Sequence, residues 1–439
     1  MSGGAVGITR IMMWLAVLGC GGCLGGCTVY HAAPLPAASD FVASPSATQP
    51  LTPARVAALA LQHDPVLVAA RMQHGLAAAE LLAAGLPPDP VISGDFAALL
   101  SGPGAMPSIS AALSQDVSAL LTYSVNRRAA KSGLAQVDAG VLWQEWQVAA
   151  QAEQLCVTLR ADDATLVSLR ADDAALIQLA DSMQVQIKQG NLTLADQTSV
   201  QAALANVQGA LNAATATTAQ DQDQLDALLN LAPGTILSLA AAPLPAISAR
   251  EAKAALASLT KRRPDLIALR YGYEQADAKL RAAILNQFLP VSLGASGGRD
   301  TSGVVGVGPQ ISLTLPLFSR NRPAIAAAGA ARAALRAQYQ ASLDGAVSGV
   351  LSLRATILTL RTEAAQADMA AQTAQQAAAQ ARAAYTVGAL DARAETDLII
   401  AAGERIRAAT ALHDQLDTAT LSLATLAGIG LPPVTEPQT

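Results

Sequence analysis

The sequence predicts a mostly α-helical protein with membrane β-strands, in which one strand hairpin and one long helical hairpin each occur twice. Three observations lead there. A segment near the start recurs about two hundred positions later. Short runs of period-two alternation stand at matching places in both halves, and long proline-free stretches of helix-forming composition follow them.

The repeat is direct. Residues 64–94 read DPVLVAARMQHGLAAAELLAAGLPPDPVISG, and residues 264–294 read PDLIALRYGYEQADAKLRAAILNQFLPVSLG. Pro65 matches Pro264, Arg71 matches Arg270, Ala84 matches Ala283, and Pro90 matches Pro290 after a one-residue slip. Further on, residues 188–192 (KQGNL) match 386–390 (TVGAL), and Leu225-Asp226-Ala227-Leu228 matches Leu423-Ala424-Thr425-Leu426. A repeat this long is a duplicated half-molecule, not a solenoid unit. It divides the chain into residues 51–245 and 246–435.

Composition narrows the class. Hydrophobic residues make up 52% of the chain, yet aromatics only 3%, because much of the apolar content is alanine. Alanine favours helix and close helix approach but buries little area. Charged residues, at 14%, fall well below the usual quarter. The net charge of −5 gives no reason to expect nucleic acid or an anionic membrane surface as partner.

At the N-terminus, Arg10 precedes the apolar run Ile11–Leu18, which is too short to span a bilayer and fits a secretory signal over residues 1–26. Leu24-Gly25-Gly26-Cys27 resembles the bacterial lipobox. That resemblance makes Cys27 the lipid-attachment residue, carrying palmitate or a similar acyl chain, and Thr28 favours sorting to the outer membrane. Cys20, Cys23 and Cys27 have no second cluster that would complete a metal site. Cys156 is left without a disulfide partner and reads as a small buried residue. Residues 27–50, with Pro34, Pro36, Pro45 and Pro50, form an extended linker. Beyond it, only diffuse alanine-rich stretches approach the apolarity of a transmembrane helix.

Thr52-Pro53 opens a helix with a hydroxyl cap and a proline in the first turn. The helix breaks at Asp64-Pro65, restarts, and ends before Leu86-Pro87-Pro88. Residues 90–100 and 107–117 form strands around Ser101–Gly104, so the first hairpin occupies about 90–117. The second occupies about 289–317. There Val291, Leu293 and Ala295 alternate with Ser292, Gly294 and Ser296, and Ile311, Leu313, Leu315 and Leu317 alternate with Ser312 and Thr314. Arg299–Gly303 is the turn, and the glycines of Gly303–Gly308 are expected to ease strand packing.

No proline occurs between Pro107 and Pro233 or between Pro323 and Pro432. Leu155, Leu159, Leu166, Leu169, Leu176, Met183 and Ile187 keep helical three-four spacing. If Gly190 and Gly388 are hairpin tips, each arm runs about 45–65 residues, roughly 70–100 Å. Such helices suit a coiled coil or a barrel of helices, not a compact core. Four strands cannot close a barrel, and open strand edges are not tolerated in lipid. Three copies in a ring would supply twelve strands and close both layers.

The order of signal or lipobox, helix, strand hairpin, helical hairpin and linker, given twice, resembles the TolC-type outer membrane efflux protein family. More narrowly, it is similar to the lipoprotein branch that serves tripartite efflux systems driven by resistance-nodulation-division (RND) pumps. The resemblance implies a homotrimer with a twelve-stranded β-barrel in the outer membrane, continued by a periplasmic α-helical barrel. It implies a passive exit duct, not an enzyme, with no cofactor, no metal and no nucleic acid. Partners would be outer membrane lipid, a periplasmic adaptor (membrane fusion) protein and an inner-membrane pump of the RND type. The lipid-anchored chain would extend into the periplasm, and selection of cargo would lie with the pump. A type I protein secretion duct and a non-conducting lipid-anchored scaffold are the alternatives.

The resemblance also assigns residues. The adaptor-docking tips would be Gly190, Asn191 and Leu192 in the first half, and Val387, Gly388, Ala389 and Leu390 in the second. Tyr385 stands at the gate tyrosine, Asp196 at its acidic partner and Asp397 at one position of an acidic ring. Leu390 replaces the family's gate arginine and Ala394 its second ring acid; Arg393 and Glu395 are near in sequence but on different helix faces. The first half has Ile187 and Ser199 where the second has Tyr385 and Asp397. The repeated segments 159–164 and 169–174 (both LRADDA) are expected to be solvated helix surface. His31, His63, His74 and His413 show no metal-binding spacing.

Overall fold

The computed structural model describes residues 30–43, 50–98, 100, 106–241, 244, 247–288, 290–315 and 318–429. The signal segment, Cys27 and part of the linker lie outside them. The chain divides into Met1–Phe41 and Val42–Thr439. Residues 30–41 of the first unit are exposed and contain no helix or strand. All that follows concerns the second.

Helix α1 (Pro53–His63) starts where Thr52 Oγ1 accepts from the Arg55 amide. It stops at Asp64, whose Oδ1 accepts from the Leu67 amide at 2.6 Å and so caps α2 (Pro65–Ala84). Strands β1 (Val91–Ala97) and β2 (Ser108–Asp116) follow, then α3 (Ser118–Lys188) and α4 (Leu194–Leu228). The second half repeats the order with α5 (Ala249–Arg262), α6 (Pro264–Leu285), β3 (Val291–Arg299), β4 (Val305–Leu313), α7 (Arg322–Thr386) and α8 (Ala392–Ala427). Ser248 and Glu251 form a reciprocal capping box at the start of α5.

The duplication reaches backbone detail. Gly190 and Gly388 sit at φ 78° and 75°, each closing a Schellman turn. In the first, Gly190 N donates to Ile187 O and Asn191 N to Gln186 O; in the second, Gly388 N donates to Tyr385 O and Ala389 N to Ala384 O. The return arms end the same way. Asn230 (φ 54°) terminates α4 and Gly428 (φ 65°) terminates α8, with equivalent bonds from Leu231 N to Asp226 O and from Ile429 N to Ala424 O.

The arms are less equal than the expected 45–65 residues. The outgoing helices α3 and α7 have 71 and 65 residues, and the return helices α4 and α8 have 35 and 36. Nothing breaks the outgoing helices between sheet and tip, whereas Asn230 and Gly428 stop the return arms half-way. The level nearer the sheet is filled instead by α2 and α6. There α2 packs on α3, α3 on α6, and α6 on α7. Toward the tips α4 packs on α3, α3 on α8, and α8 on α7. Both levels are thus rows four helices wide.

The expected heptad positions of α3 face this packing: Leu155, Leu159, Leu166, Leu169, Leu176 and Met183 are buried. Cys156 is fully buried, and burial pushes its thiol up to about 12, so it is inert. Leu51 pairs with Leu239 in a single parallel bridge that straps the entry segment to the loop after α4. Among the described residues one helix, α7, contains a window apolar enough by length and composition to cross a membrane, with 22% of it buried. Alanine supplies that apolarity.

Candidate functional site

The strands form one antiparallel meander in the order β1-β2-β3-β4. The register sorts their side chains by face. Ile92 pairs with Leu113, Phe96 with Ile109, Leu293 with Ile311, Val291 with Leu313 and Gly297 with Val307. Through Leu113 opposite Ala295, these share one side of the sheet. The other side carries Ser93, Asp95, Ser110, Ser114, Ser292, Ser296, Gln310 and Ser312. The apolar side is bare: Ile92 is 79% exposed and Val307 87%. β1 and β4 each lack a second neighbour among the described residues. The strands run 7, 9, 9 and 9 residues, slightly under the expected ten.

The packing glycines are not those read from the sequence. Gly303 lies in the turn at φ 87°, and a Cβ on Gly306 or Gly308 would meet nothing within 4 Å. Gly294 and Gly298 are the close contacts. A Cβ there would lie 2.3 Å from the Leu113 carbonyl oxygen and 2.7 Å from that of Ile109. Only glycine lets β3 press this closely on β2.

At the far end the two tips adjoin one groove of about 520 Å³, lined among others by Leu192, Tyr385, Gly388 and Leu390. Beside it Leu179, Ala180, Met183, Val200 and Ala392 form a small core, with Leu192 and Tyr385 packed against it. Val387 is 78% exposed, and Gly190, Asn191 and Ala389 are exposed as well. Tyr385 stands with its hydroxyl 3.5 Å from Gln186 Nε2, which donates to it. Asp397 is exposed on the second turn of α8. Asp196 belongs to α4, but its side chain lies outside the described residues.

Glu395 is 3% exposed, its Oε2 makes no hydrogen bond, and burial raises its pKa against the opposing charge of Arg382. Arg393 is exposed, so the two lie on different faces. Asp391 caps α8 by accepting from the Ala394 amide at 2.7 Å.

A polar seam joins α3 to the second hairpin. Gln154 donates to Ser422, Thr158 to Asp414, Arg407 to Ser168 and Asp172, and Arg382 to Gln178. The strongest link is Arg407–Asp172, 2.5 Å apart, with side-chain exposures of 19% and 10%. Gly403 makes room for it, since a Cβ there would fall 1.9 Å from the Asp172 carboxylate. This corrects the expectation for the second LRADDA segment: Asp172 is buried, because α8 packs over that face of α3. In the first segment, burial and then the charge of Asp221 push Asp162 up to about 6. Among the described residues no group of His, Cys, Asp or Glu is placed to hold a metal ion.

Residues 255–429 match the family model described as "Outer membrane efflux protein". A comparison with curated proteins finds no match. Among solved structures, the chain is similar to the outer membrane protein VceC of Vibrio cholerae, at 18% identity and TM-score 0.71 over 85% of this chain and 95% of that one. It is similar to the CmeC outer membrane channel of Campylobacter jejuni, at 15% identity and TM-score 0.74 over 93% and 96%. It is also similar to the open state of the MtrE outer membrane channel of Neisseria gonorrhoeae, at 16% identity and TM-score 0.70 over 92% and 98%.

Proposed function

We propose that the chain is an outer membrane efflux protein, as the family match over residues 255–429 and the shared fold support, and that three copies form the passive exit duct of a tripartite efflux system. The observation that carries this reading is the sheet. Among the described residues it has two unpaired edges, one bare apolar face and one serine-rich face. A β-sheet with these properties is stable in lipid only when other copies close its edges. Three copies give twelve strands, with the apolar faces toward lipid and the serines lining the bore. The helix rows end at α7 on one side and at α2 and α4 on the other, so the same ring would close a helical tube beneath.

The remaining assignments follow the family. Cys27 anchors the chain to the outer membrane by its lipid, and the helices extend into the periplasm. The exposed tips at Gly190–Leu192 and Val387–Leu390 dock a periplasmic adaptor linked to an inner-membrane pump of the RND type. Tyr385, Asp196 and Asp397 restrict the periplasmic end. Three copies of Asp397 would repel one another on a narrow axis and favour cations there.

Planar-bilayer recording of the purified chain tests the duct. Small or intermittent conductance is expected from the native protein, and larger conductance from Asp397→Ala. Silence from both, in preparations shown to be inserted, would favour the scaffold.

A further inference from the structure

The overall charge of −5 conceals a local reversal. Between Asp116 and Asp138 the chain carries Arg127, Arg128 and Lys131 and no acid. Between β4 and Asp344 it carries Arg320, Arg322, Arg332 and Arg336, again with no acid. Both windows lie at the same place in the duplicated fold, where the outgoing helices leave the sheet. Arg332 is committed to Asp277 on α6. Arg127, Arg128 and Lys131 are exposed and make no ion pair among the described residues. The acid nearest to them on α2 is Glu80, also exposed.

These three bases edge a groove of about 860 Å³ between the end of α2 and the start of α3. Its apolar wall includes Leu81, Leu82 and Leu86, the last two 69% and 62% exposed. Tyr123 fixes the groove by donating its hydroxyl to the Gly85 carbonyl at 2.6 Å. The site therefore combines an apolar slot, unpaired positive charge and a position at the helix end of the membrane sheet.

We propose that this groove binds an anionic phospholipid from the leaflet nearest the helices, its phosphate on Arg127, Arg128 and Lys131 and an acyl chain along Leu82 and Leu86. The inference rests on the reading of the sheet as membrane-spanning. In the proposed ring a second copy of the chain borders this groove, but its charge makes it a poor occupant of the groove itself. In a closed ring the row edge facing α2 is α7, whose first turns present exposed Arg322 and Arg336. Like charges would then meet, and an anion between them relieves the repulsion. Basic residues beside a membrane gain roughly 1 kcal/mol each from anionic lipid.

The test is native mass spectrometry of the full chain, equilibrated in detergent with phosphatidylglycerol or with phosphatidylcholine. Phosphatidylglycerol should be retained preferentially. Arg127→Gln/Arg128→Gln/Lys131→Gln should lower that preference on the order of a hundredfold, and Arg128→Gln alone about fivefold. The single variant decides the matter if the triple does not assemble. The control Lys188→Gln/Arg361→Gln/Arg405→Gln removes three exposed bases outside these windows and should retain the lipid. Equal retention of both lipids by the native chain, or equal loss in the control, overturns the proposal. Bilayer recordings on the same preparations separate the two readings: conductance without lipid preference sinks only the lipid site, and failure to insert sinks the duct.

Discussion

Arg407→Met is expected to loosen the junction between the two helical hairpins. The substitution keeps an apolar stem but leaves the Asp172 carboxylate, 10% exposed, without its counter-charge. Burial already raises the Asp172 pKa with Arg407 in place, so the site is costly for a lone charge. Breaking a buried pair costs about 3–5 kcal/mol. Asp172 can relax by taking up a proton or a water, which puts the expectation near 3 kcal/mol. At about 1.4 kcal/mol per decade, amides of α8 around residues 400–410 that exchange by local opening should lose protection on the order of a hundredfold. Hydrogen-exchange mass spectrometry reads this without requiring reversible unfolding. Gly403→Ala should act on the same amides, because its Cβ would displace the carboxylate. Asp172→Leu/Arg407→Met should recover most of the protection, since leucine sets two methyls where aspartate sets two oxygens and no charge is left behind. Exchange within about threefold of native for both single variants, or a double variant as fast as Arg407→Met, would refute the reasoning.

Three further outcomes are expected. Asp162, held at about 6 against an ordinary 3.8, contributes stability that is full below 3.8 and lost as pH rises through about 6. Thermal melts followed by circular dichroism should therefore show a higher midpoint at pH 5 than at pH 7, and Asp162→Asn should flatten that difference. Gly294→Ala drives a Cβ into the Leu113 carbonyl and should separate β2 from β3, abolishing the heat-modifiable mobility of a closed barrel in gel electrophoresis. Asp391→Ala removes the α8 cap at a cost of about 1 kcal/mol and should speed limited proteolysis near residues 387–391 severalfold, with the sheet unaffected.

The helix starts and both tips were legible because local chemistry sets them. Thr52-Pro53, Asp64-Pro65, Gly190 and Gly388 act through their own backbone and nearest neighbours. The strand faces were legible from alternation in the second hairpin, where the serine-bearing and large apolar positions fall on opposite sides, and less so in β1, where Val91 shares a side with Ser93. Arm length was less so: Asn230 can end a helix in the left-handed region as Gly428 does, but its letter carries a weaker signal. The seam was invisible. Arg407 and Asp172 are 235 positions apart, and neither is unusual in a helix. Asp172 sits in a segment that repeats LRADDA, and only the neighbour decides which copy is buried. The basic groove was present in the sequence as acid-free windows, yet net charge averages it away.

The half-length return arms make the molecule extensible. Because α4 and α8 end at mid-height, the described residues between that level and the tips consist of two outgoing and two returning helices, with no strand and no crossover. Matched whole turns added to all four would move the tips outward by about 5.4 Å each while leaving the sheet, the N-terminal strap and the mid-height loops where they are. Distance from membrane to tip is thus a separate dimension of this architecture, free to be fitted to the depth of the compartment it must cross.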